Sequence, residues 1–114
     1  MQFIFGSELA HSVVNLVSTS QKMLLLVSPY YDPWDHLATE IENAVAVRKV
    51  STRLIIRGGD DRAKQEPNTE RARRAGAQVM FLSRLHAKLY LNESEAILTS
   101  MNLLKSSAFG SWEM

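Results

Sequence analysis

His86 and Lys88 are the residues of this chain best suited to chemistry, and a single alanine separates them. On a β-strand, side chains two positions apart project from the same face, because the side chains alternate with a period of two. We predict a strand over 85–91 whose leucine and alanine side chains pack against a core. The opposite face then carries the polar side chains Arg84, His86, Lys88 and Tyr90. An imidazole next to an ammonium group suits chemistry on an anionic phosphate.

Two further polar residues, Ser100 and Asn102, are expected to join this pair. They lie at the far end of the next predicted strand, 95–100, which a turn at 92–94 separates from the first strand. Two strands joined by so short a turn pair as an antiparallel hairpin, and cross-strand neighbours lie close together. The hairpin therefore gathers an imidazole, a fixed cation, a hydroxyl group and a carboxamide in one small volume.

The elements upstream of the hairpin alternate between helices and strands. Apolar residues at helical spacing predict one helix over Ser7–Ser18 and another over Asp35–Arg48, and each begins at a residue type that caps helices well. Compact apolar runs predict buried strands over 22–28, 52–57 and 78–82.

A third helix is predicted between the last two of these strands. The stretch over 62–68 is polar and indicates a loop, while Pro67 is expected to open the helix and Gly76 to close it. The resulting order is α-β-α-β-α-β followed by the hairpin. Such alternation predicts an α/β fold with a mixed, mainly parallel sheet flanked by helices and a C-terminal β-hairpin that carries the polar residues.

Composition limits the classes of protein to which the chain can belong. With 114 residues, of which 46% are apolar and 22% charged, it has the balance of one folded domain. The net charge is only +1, so affinity for a polyanion depends on local clusters of positive charge. The absence of cysteine excludes a disulfide framework, thiolate catalysis and a cysteine-ligated zinc site. The histidines show no metal-ligand spacing, so we expect no metal and no cofactor.

Two observations bear on where the protein resides. The first few residues are too short and too uncharged a run for a signal peptide. The longest apolar runs, such as Met23–Val27, are far below membrane-spanning length. We therefore expect a soluble, cytoplasmic protein with no transmembrane segment.

The stretch from Leu85 to Glu113 resembles the phospholipase D superfamily. The signature of that family is histidine-x-lysine, then an acid, then glycine-serine and an asparagine, with a further acid downstream. The matching residues of this chain are His86, Lys88, Glu93, Ser100, Asn102 and Glu113. A looser likeness extends upstream, at Ser28-Pro29-Tyr30 and at 74–77, so the resemblance covers most of the chain.

Two positions depart from the family's pattern. Glu93 replaces the usual aspartate, which is a conservative change if this acid has a structural role. Thr99 stands where glycine is usual, and it constrains the backbone beside Ser100. Neither departure removes a group that does chemistry.

The resemblance implies a metal-independent phosphodiesterase that works in two steps. A neutral His86 would attack phosphorus and form a covalent phosphohistidine. Lys88 and Asn102, with help from Ser100, would stabilise the charge that builds on the phosphoryl oxygens. Glu113 would hold the other ring nitrogen of His86. A second histidine would protonate the leaving oxygen and later activate water or an alcohol.

The implied mechanism needs two histidines, whereas the chain carries one such motif. His11 is expected on the solvent side of its helix and His36 beside the start of the next helix, so neither is a good partner. A two-fold axis relating two chains would bring two copies of His86 together. We therefore predict a homodimer with one active site at its interface.

Nucleic acid is the predicted substrate, because basic side chains can grip phosphates and aromatic side chains can stack on bases. The basic set is Arg57, Arg62, Lys64, Arg71, Arg73 and Arg74, and the aromatic set is Tyr30, Tyr31 and Trp34. A plainer interpretation stands beside each set: the arginines can pair with neighbouring acids on a solvated helix, and the aromatics can be core or dimer contacts. The residues selected as substrate-binding are Arg57, Arg62, Tyr30 and Arg84.

Two other functions stay open. One is a phospholipase D-type hydrolase or transferase acting on a phospholipid headgroup, and the other is a non-catalytic DNA-binding or dimerisation module of a larger protein. The complete set of motif residues favours an enzyme, and a small chain with a single motif favours a nuclease. Residues 1–114 are expected to be one phospholipase D-like domain that lacks the final strand and helix of that fold.

Overall fold

The computed structural model describes residues 6–99 and 103–104, which form three α-helices and seven β-strands. The helices are α1 (Gly6–Ser18), α2 (Asp35–Glu42) and α3 (Arg62–Ala75). A π-helical turn at Asn43–Val47 continues α2, and a short 3-10 turn at Gly59–Asp61 precedes α3. The strands are β1 (Met23–Ser28), β2 (Tyr31–Asp32), β3 (Ser51–Arg57), β4 (Gln78–Leu82), β5 (Leu89–Asn92), β6 (Ala96–Leu98) and β7 (Leu103–Leu104).

Five of the strands form one mixed sheet in the order β4-β3-β1-β5-β6. β1, β3 and β4 run parallel, and α2 and α3 lie in the connections between them. β5 runs antiparallel to β1 and β6 runs antiparallel to β5, so the last two strands form the predicted hairpin. The predicted α/β class is therefore confirmed. A short parallel pair, β2 with β7, lies apart from this sheet and has no counterpart in the sequence-based prediction.

One hydrophobic core lies between the helices and one face of the sheet. Helix α1 buries its apolar stripe there, and Val13 and Leu16 have no exposed surface. The strands contribute alternate residues, because only one face of each strand meets the helices. These residues include Leu24, Leu26, Leu54, Ile56 and Tyr90. The other face stays partly open, and its large apolar side chains Met80, Leu82 and Leu98 are 45%, 44% and 54% exposed.

Strand β5 is shorter than the strand predicted over 85–91, and the side chains that it turns toward the core are not the predicted ones. It begins at Leu89, so the segment 85–88, which contains His86, lies before the strand. The predicted faces are also wrong, because Tyr90 is fully buried in the core. Pairing with β1 sets Tyr90 opposite Leu26, whose side chain meets the helices. Alternation alone could not decide between the faces, since both faces of this sheet carry apolar residues.

Two helix starts also differ from the prediction. Helix α3 begins at Arg62 and contains Pro67, so the predicted loop over 62–68 is wrong. The buried side of the first turns of α3 is polar, so these turns show no periodic pattern of apolar residues from which a helix could be predicted. Trp34, and not Asp35, is the N-cap of α2.

The end of α3 follows the prediction. Gly76 closes the helix, and its N–H donates to the carbonyl oxygens of Ala72 and Arg73. Its φ of 123° lies in the region that favours glycine, because a side chain there is strained.

Asn92 ties the turn of the hairpin to the end of α1. Its amide nitrogen donates to the carbonyl oxygen of Leu16 at 2.8 Å, and the residue is only 6% exposed. Its amide oxygen accepts the backbone N–H groups of Ser94 and Glu95 at 2.8 and 2.9 Å. One buried side chain thus shapes the turn and attaches it to the helix layer.

Glu93 makes a second attachment, to the connection between α1 and β1. Its carboxylate accepts the backbone N–H groups of residues 21–23 at 2.9, 3.0 and 3.3 Å. These bonds, that from Lys22 most of all, lower the pKa of Glu93 to about 2, because hydrogen bonds to the charged form stabilise it. The glutamate that replaces the family's aspartate therefore has a structural role in this chain.

Replacing Glu93 with glutamine should make the stability of the protein less dependent on pH. The folded-state pKa of about 2 lies below the ordinary value of 4.5. The carboxylate therefore contributes its full stabilisation above about pH 5 and loses it as the pH falls toward 2. We expect the difference in melting temperature between wild type and Glu93→Gln to be largest near neutral pH and to shrink on acidification, as followed by circular dichroism.

Glu95→Gln is the matched control, because it removes the same charge from an exposed position of the same turn. Its melting temperature should follow that of the wild type across the pH range. A difference for Glu93→Gln that stays constant with pH would contradict the role assigned to the carboxylate.

Candidate active site

Some of the residues selected from the sequence lie at the carboxyl ends of the parallel strands. Tyr30 follows β1, and Arg57 is the last residue of β3. Antiparallel pairing sets Leu89 opposite Val27, so the segment 85–88 lies beside the end of β1. In open α/β sheets this edge is where ligands bind, because the loops that leave the strands form a crevice there.

Arg57 joins three parts of this edge. Its Nε donates to the carbonyl oxygen of Leu85 at 2.8 Å, and its Nη1 donates to the hydroxyl of Tyr30 at 2.9 Å. Its Nη2 lies 3.2 Å from Nδ1 of His86. The guanidinium carbon is 4.9 Å from the centroid of the Tyr30 ring, and the Asp61 carboxylate lies 4.0 Å from Nη1. Arg57 is thus in direct contact with two other residues selected from the sequence, Tyr30 and His86.

Lys88 belongs to the same segment as His86. Its Nζ donates to the carbonyl oxygen of His86 at 3.4 Å. Its own carbonyl oxygen accepts the N–H of Thr99 at 3.2 Å, which continues the pairing of the hairpin beyond β5 and β6. The imidazole and the ammonium group therefore lie on a segment held by the hairpin at one end and by Arg57 at the other.

Ser100, Asn102 and Glu113 lie outside the described residues, so their roles stay predictions. Thr99 and Leu103, the described residues on either side of Ser100 and Asn102, lie near the carboxyl ends of the parallel strands. Thr99 bonds to Lys88, and Leu103 pairs with Tyr31.

Helix α3 holds the segment that carries Tyr30. Gln65 is only 4% exposed; its amide nitrogen donates to the carbonyl oxygen of Pro29 and its amide oxygen accepts the N–H of Tyr31 at 2.9 Å. Asn68 donates to the carbonyl oxygen of Tyr31 at 2.9 Å. The carbonyl oxygen of Pro29 also accepts the backbone N–H of Arg57 at 3.1 Å. The segment is thus held by β3 and by two side chains of α3, which satisfy its buried backbone groups.

The apolar pattern gives no sign of Gln65 and Asn68 as positioning residues. The signal that could have found the buried side of α3 is the spacing of Gln65, Thr69 and Ala72, which repeats at four and three residues. Small and polar residues at that spacing mark a helix face that packs closely against backbone.

Arg62 and Arg84 lie at the same edge, each in its own surroundings. Arg62 packs over the ring of Phe81 at 4.7 Å and pairs with Glu66 at 2.7 Å. Arg84 is exposed in the turn after β4 and has a φ of 60°, which is uncommon for a residue with a side chain. The prediction that Arg84 shares a strand face with His86 is therefore wrong.

The remaining arginines of the basic stretch pair with carboxylates on the surface. The ion pairs are Arg71–Glu42 at 2.7 Å, Arg71–Asp35 at 3.4 Å, Arg73–Glu70 at 3.2 Å and Arg74–Glu70 at 3.5 Å. The plainer interpretation of these arginines, as members of a solvated helix face, fits the structure. They add little positive charge to the edge that carries His86.

The aromatic residues divide into two that are buried in the core and one that is exposed. Tyr31 and Trp34 are 2% and 8% exposed and belong to the core, and burial raises the pKa of the Tyr31 hydroxyl. Tyr30 is 38% exposed and lies against Arg57. Tyr30 is therefore the member of this set placed to meet a ligand.

The other histidines lie on helix surfaces, as predicted. His11 is exposed on α1, and His36 is exposed on α2 with its Nε2 3.8 Å from Glu40. Over residues 6–99 and 103–104, no cluster of three or more histidine, aspartate or glutamate side chains could hold a metal ion. Within that same part of the chain, no helix combines the length and the apolar character needed to cross a bilayer.

Solved structures with the same fold include a phospholipase D family member. That protein, Nuc from Salmonella typhimurium, gives a TM-score of 0.77 at 12% identity, over 92% of this chain and 71% of its own. NucT from Helicobacter pylori gives 0.62 at 14% identity, over 85% and 68%. Polyphosphate kinase from Porphyromonas gingivalis gives 0.58 at 18% identity, over 90% of this chain but 19% of its own. The chain therefore has a phospholipase D-like fold, as the motif predicts. No protein-family profile and no curated protein matches its sequence.

Replacing Gln65 with alanine should destabilise the protein by about 2 kcal/mol, because a buried backbone group left without a partner costs about 1–3 kcal/mol. The group concerned is the N–H of Tyr31, which Gln65 accepts. Urea unfolding measures the free energy directly. Lys64→Ala, at the exposed neighbouring position, is the control and should change stability by less than about 0.5 kcal/mol. Equal effects of the two substitutions would show that Gln65 does not hold this segment.

Proposed function

We propose that this chain is a metal-independent phosphodiesterase of the phospholipase D superfamily that cleaves nucleic acid through a phosphohistidine at His86. The observation that carries the proposal is the contact of His86 with Arg57, beside Lys88, at the ligand-binding edge of a phospholipase D-like fold. Two fixed cations next to an imidazole suit a reaction in which negative charge builds on phosphoryl oxygens.

The reaction has two balanced steps. In the first, Nε2 of His86 attacks phosphorus, the bond to the leaving oxygen breaks, and that oxygen takes a proton from a second histidine. In the second, the same histidine takes a proton from water, the hydroxide attacks phosphorus, and the bond to His86 breaks. Lys88 and Arg57 stabilise the charge on the non-bridging oxygens in both steps. Ser100 and Asn102 add neutral donors, and Glu113 accepts the N–H of Nδ1 of His86 once Nε2 is bonded to phosphorus.

The second histidine is proposed to be His86 of a second copy of the chain. The sequence contains three histidines, and the other two are exposed on helices. A two-fold axis that passes beside His86 would supply the missing group and complete one site per dimer. The proposed functional unit is therefore a homodimer.

Nucleic acid is favoured as the substrate by what surrounds His86. Tyr30 offers an exposed ring on which a base can stack, and Arg57 lies against that ring. Arg62 and Arg84 follow along the same edge, where they can contact neighbouring phosphates of a strand. A phospholipid headgroup presents one phosphate and no base, so it would leave these groups unused.

Replacing His86 with alanine should abolish phosphodiesterase activity, with a loss of at least about 10,000-fold, the order of loss produced by removing a covalent nucleophile. The assay measures cleavage of single- and double-stranded DNA and of RNA in the presence of chelator. Alkaline quenching followed by mass spectrometry should find the peptide that contains His86 bonded through phosphorus to one half of the cleaved strand. His11→Ala, on the surface of α1, is the control and should retain wild-type activity.

Three results would contradict this proposal. Cleavage that requires magnesium would exclude the metal-independent mechanism. Activity confined to phospholipid headgroups would assign the chain to the alternative substrate, and an absence of hydrolysis on every substrate would indicate a binding module.

Mixing subunits tests the shared site. When wild type and His86→Ala are mixed in equal amounts and allowed to exchange, random pairing gives about one quarter wild-type dimers. A site that needs both copies of His86 should therefore show about one quarter of the activity of the same total amount of wild type. Independent sites would give half, and a strict monomer in light scattering at the assay concentration would exclude the dimer.

A further inference from the structure

The contact between Arg57 and His86 determines which ring nitrogen of the histidine carries a proton. A guanidinium group keeps its protons under all conditions in which proteins fold, and it has donors but no acceptor. Nη2 of Arg57 lies 3.2 Å from Nδ1 of His86, so Nδ1 accepts this hydrogen bond through its lone pair. A neutral imidazole has a single N–H. In this contact that N–H is on Nε2.

Arg57 is held firmly enough to impose this choice. Its side chain is 20% exposed and makes two further hydrogen bonds, to the carbonyl oxygen of Leu85 and to the hydroxyl of Tyr30. Leu85 directly precedes His86, so one guanidinium group fixes both the imidazole and the backbone that leads to it. The orientation of His86 therefore depends on Arg57.

The Nε2–H tautomer is the wrong one for nucleophilic attack. A ring nitrogen attacks phosphorus through a free lone pair, and a protonated Nε2 has none. The lone pair of Nδ1 is directed at Arg57. While a neutral His86 keeps this contact, it offers an N–H at Nε2 and no free lone pair for attack.

A phosphodiester anion changes this balance, because it is a better partner for the guanidinium group than a neutral imidazole is. A bond between guanidinium and phosphate is charged on both sides and can be bidentate, whereas the bond to imidazole is charged on one side only. A phosphate that takes Nη2 of Arg57 frees Nδ1 of His86. Water can then accept the proton of Nε2 and supply one to Nδ1, with no net change of charge, and Nε2 gains its lone pair.

We propose that Arg57 is a positioning residue that keeps His86 in the unreactive Nε2–H tautomer until a phosphate anion displaces it. This inference rests on the proposed function in one respect, because it takes the phosphate anion to be part of the substrate. The nucleophile is then formed when the site is filled and is absent when the site is empty. A ligand shifts such an equilibrium only by its different affinity for the two states, and here the difference is the bond to Arg57.

The tautomer of His86 can be read from nitrogen chemical shifts of the full-length, ¹⁵N-labelled chain, since protonated and unprotonated imidazole nitrogens have well-separated resonances. His86→Gln identifies the signals by their loss. The spectra are recorded at mildly alkaline pH, where histidine side chains are ordinarily neutral. The probe is dimethyl phosphate, a phosphodiester anion, and trimethyl phosphate, which has a similar shape but no charge, is its control.

We expect the free wild-type protein to be mainly the Nε2–H tautomer. Dimethyl phosphate should lower the ratio of Nε2–H to Nδ1–H at least about tenfold, which corresponds to about 1.4 kcal/mol. Trimethyl phosphate should leave the ratio unchanged. A free protein that is already mainly Nδ1–H, or a ratio that dimethyl phosphate does not move, would overturn the inference.

Arg57→Met removes the donors and retains an unbranched, flexible side chain. Its His86 should show, without ligand, a ratio of Nε2–H to Nδ1–H at least as low as the one that dimethyl phosphate produces in the wild type, and should not respond to dimethyl phosphate. Arg53→Met, at an exposed position of the same strand, is the matched control and should behave as the wild type. A wild-type ratio in Arg57→Met would overturn the inference, and if that variant does not fold, the wild-type titration decides alone.

None of these spectra depends on cleavage, so the two proposals fail separately. The expected change of tautomer in a chain that hydrolyses no phosphodiester would overturn the proposed function and support the role of Arg57. An active chain whose free His86 is already mainly Nδ1–H would overturn the role of Arg57 and support the function.

Discussion

The attachment of the hairpin turn to the α1–β1 connection is the constraint on which the site depends. Asn92 and Glu93 bond to the backbone at Leu16 and at residues 21–23. Because β5 runs antiparallel to β1, a turn fixed at one edge of the sheet sets the segment 85–88 at the opposite edge. A slip of one residue would move Tyr90 out of the core, since it would reverse every side chain of the strand. It would also move His86 away from Arg57.

Polar side chains, and not apolar packing, complete the opposite edge. The chain leaves the sheet there, so backbone groups lose their strand partners and need new ones. Gln65 supplies them for the segment that carries Tyr30, and Arg57 supplies one for Leu85. Arg57 also contacts His86, and Gln65 holds the backbone on either side of Tyr30, which bonds to Arg57. Local stability and the geometry of the site therefore rest on the same few hydrogen bonds.

Sequence patterns predict the elements whose apolar periodicity is strong, and they fail where polar contacts decide. Helix α1, strands β1, β3 and β4, and the hairpin lie close to their predicted positions. The start of α3 is missed because its buried residues, Gln65 and Thr69, are polar. The facing of β5 is missed because apolar residues line both faces of the sheet, and only the pairing with β1 identifies the buried one.

The sequence selects candidate residues for the site but gives no sign of the contacts between them. The motif selects His86 and Lys88, and residue type alone selects Tyr30 and Arg57, yet Arg57 and His86 lie 29 positions apart and no spacing rule joins them. The fold does not decide reactivity either, since similar folds at 12–18% identity include a phospholipase D family member and a polyphosphate kinase. In this chain His86 contacts a guanidinium ion, which can only donate hydrogen bonds. Under the proposed mechanism, the lone pair needed for attack therefore depends on what else that cation binds.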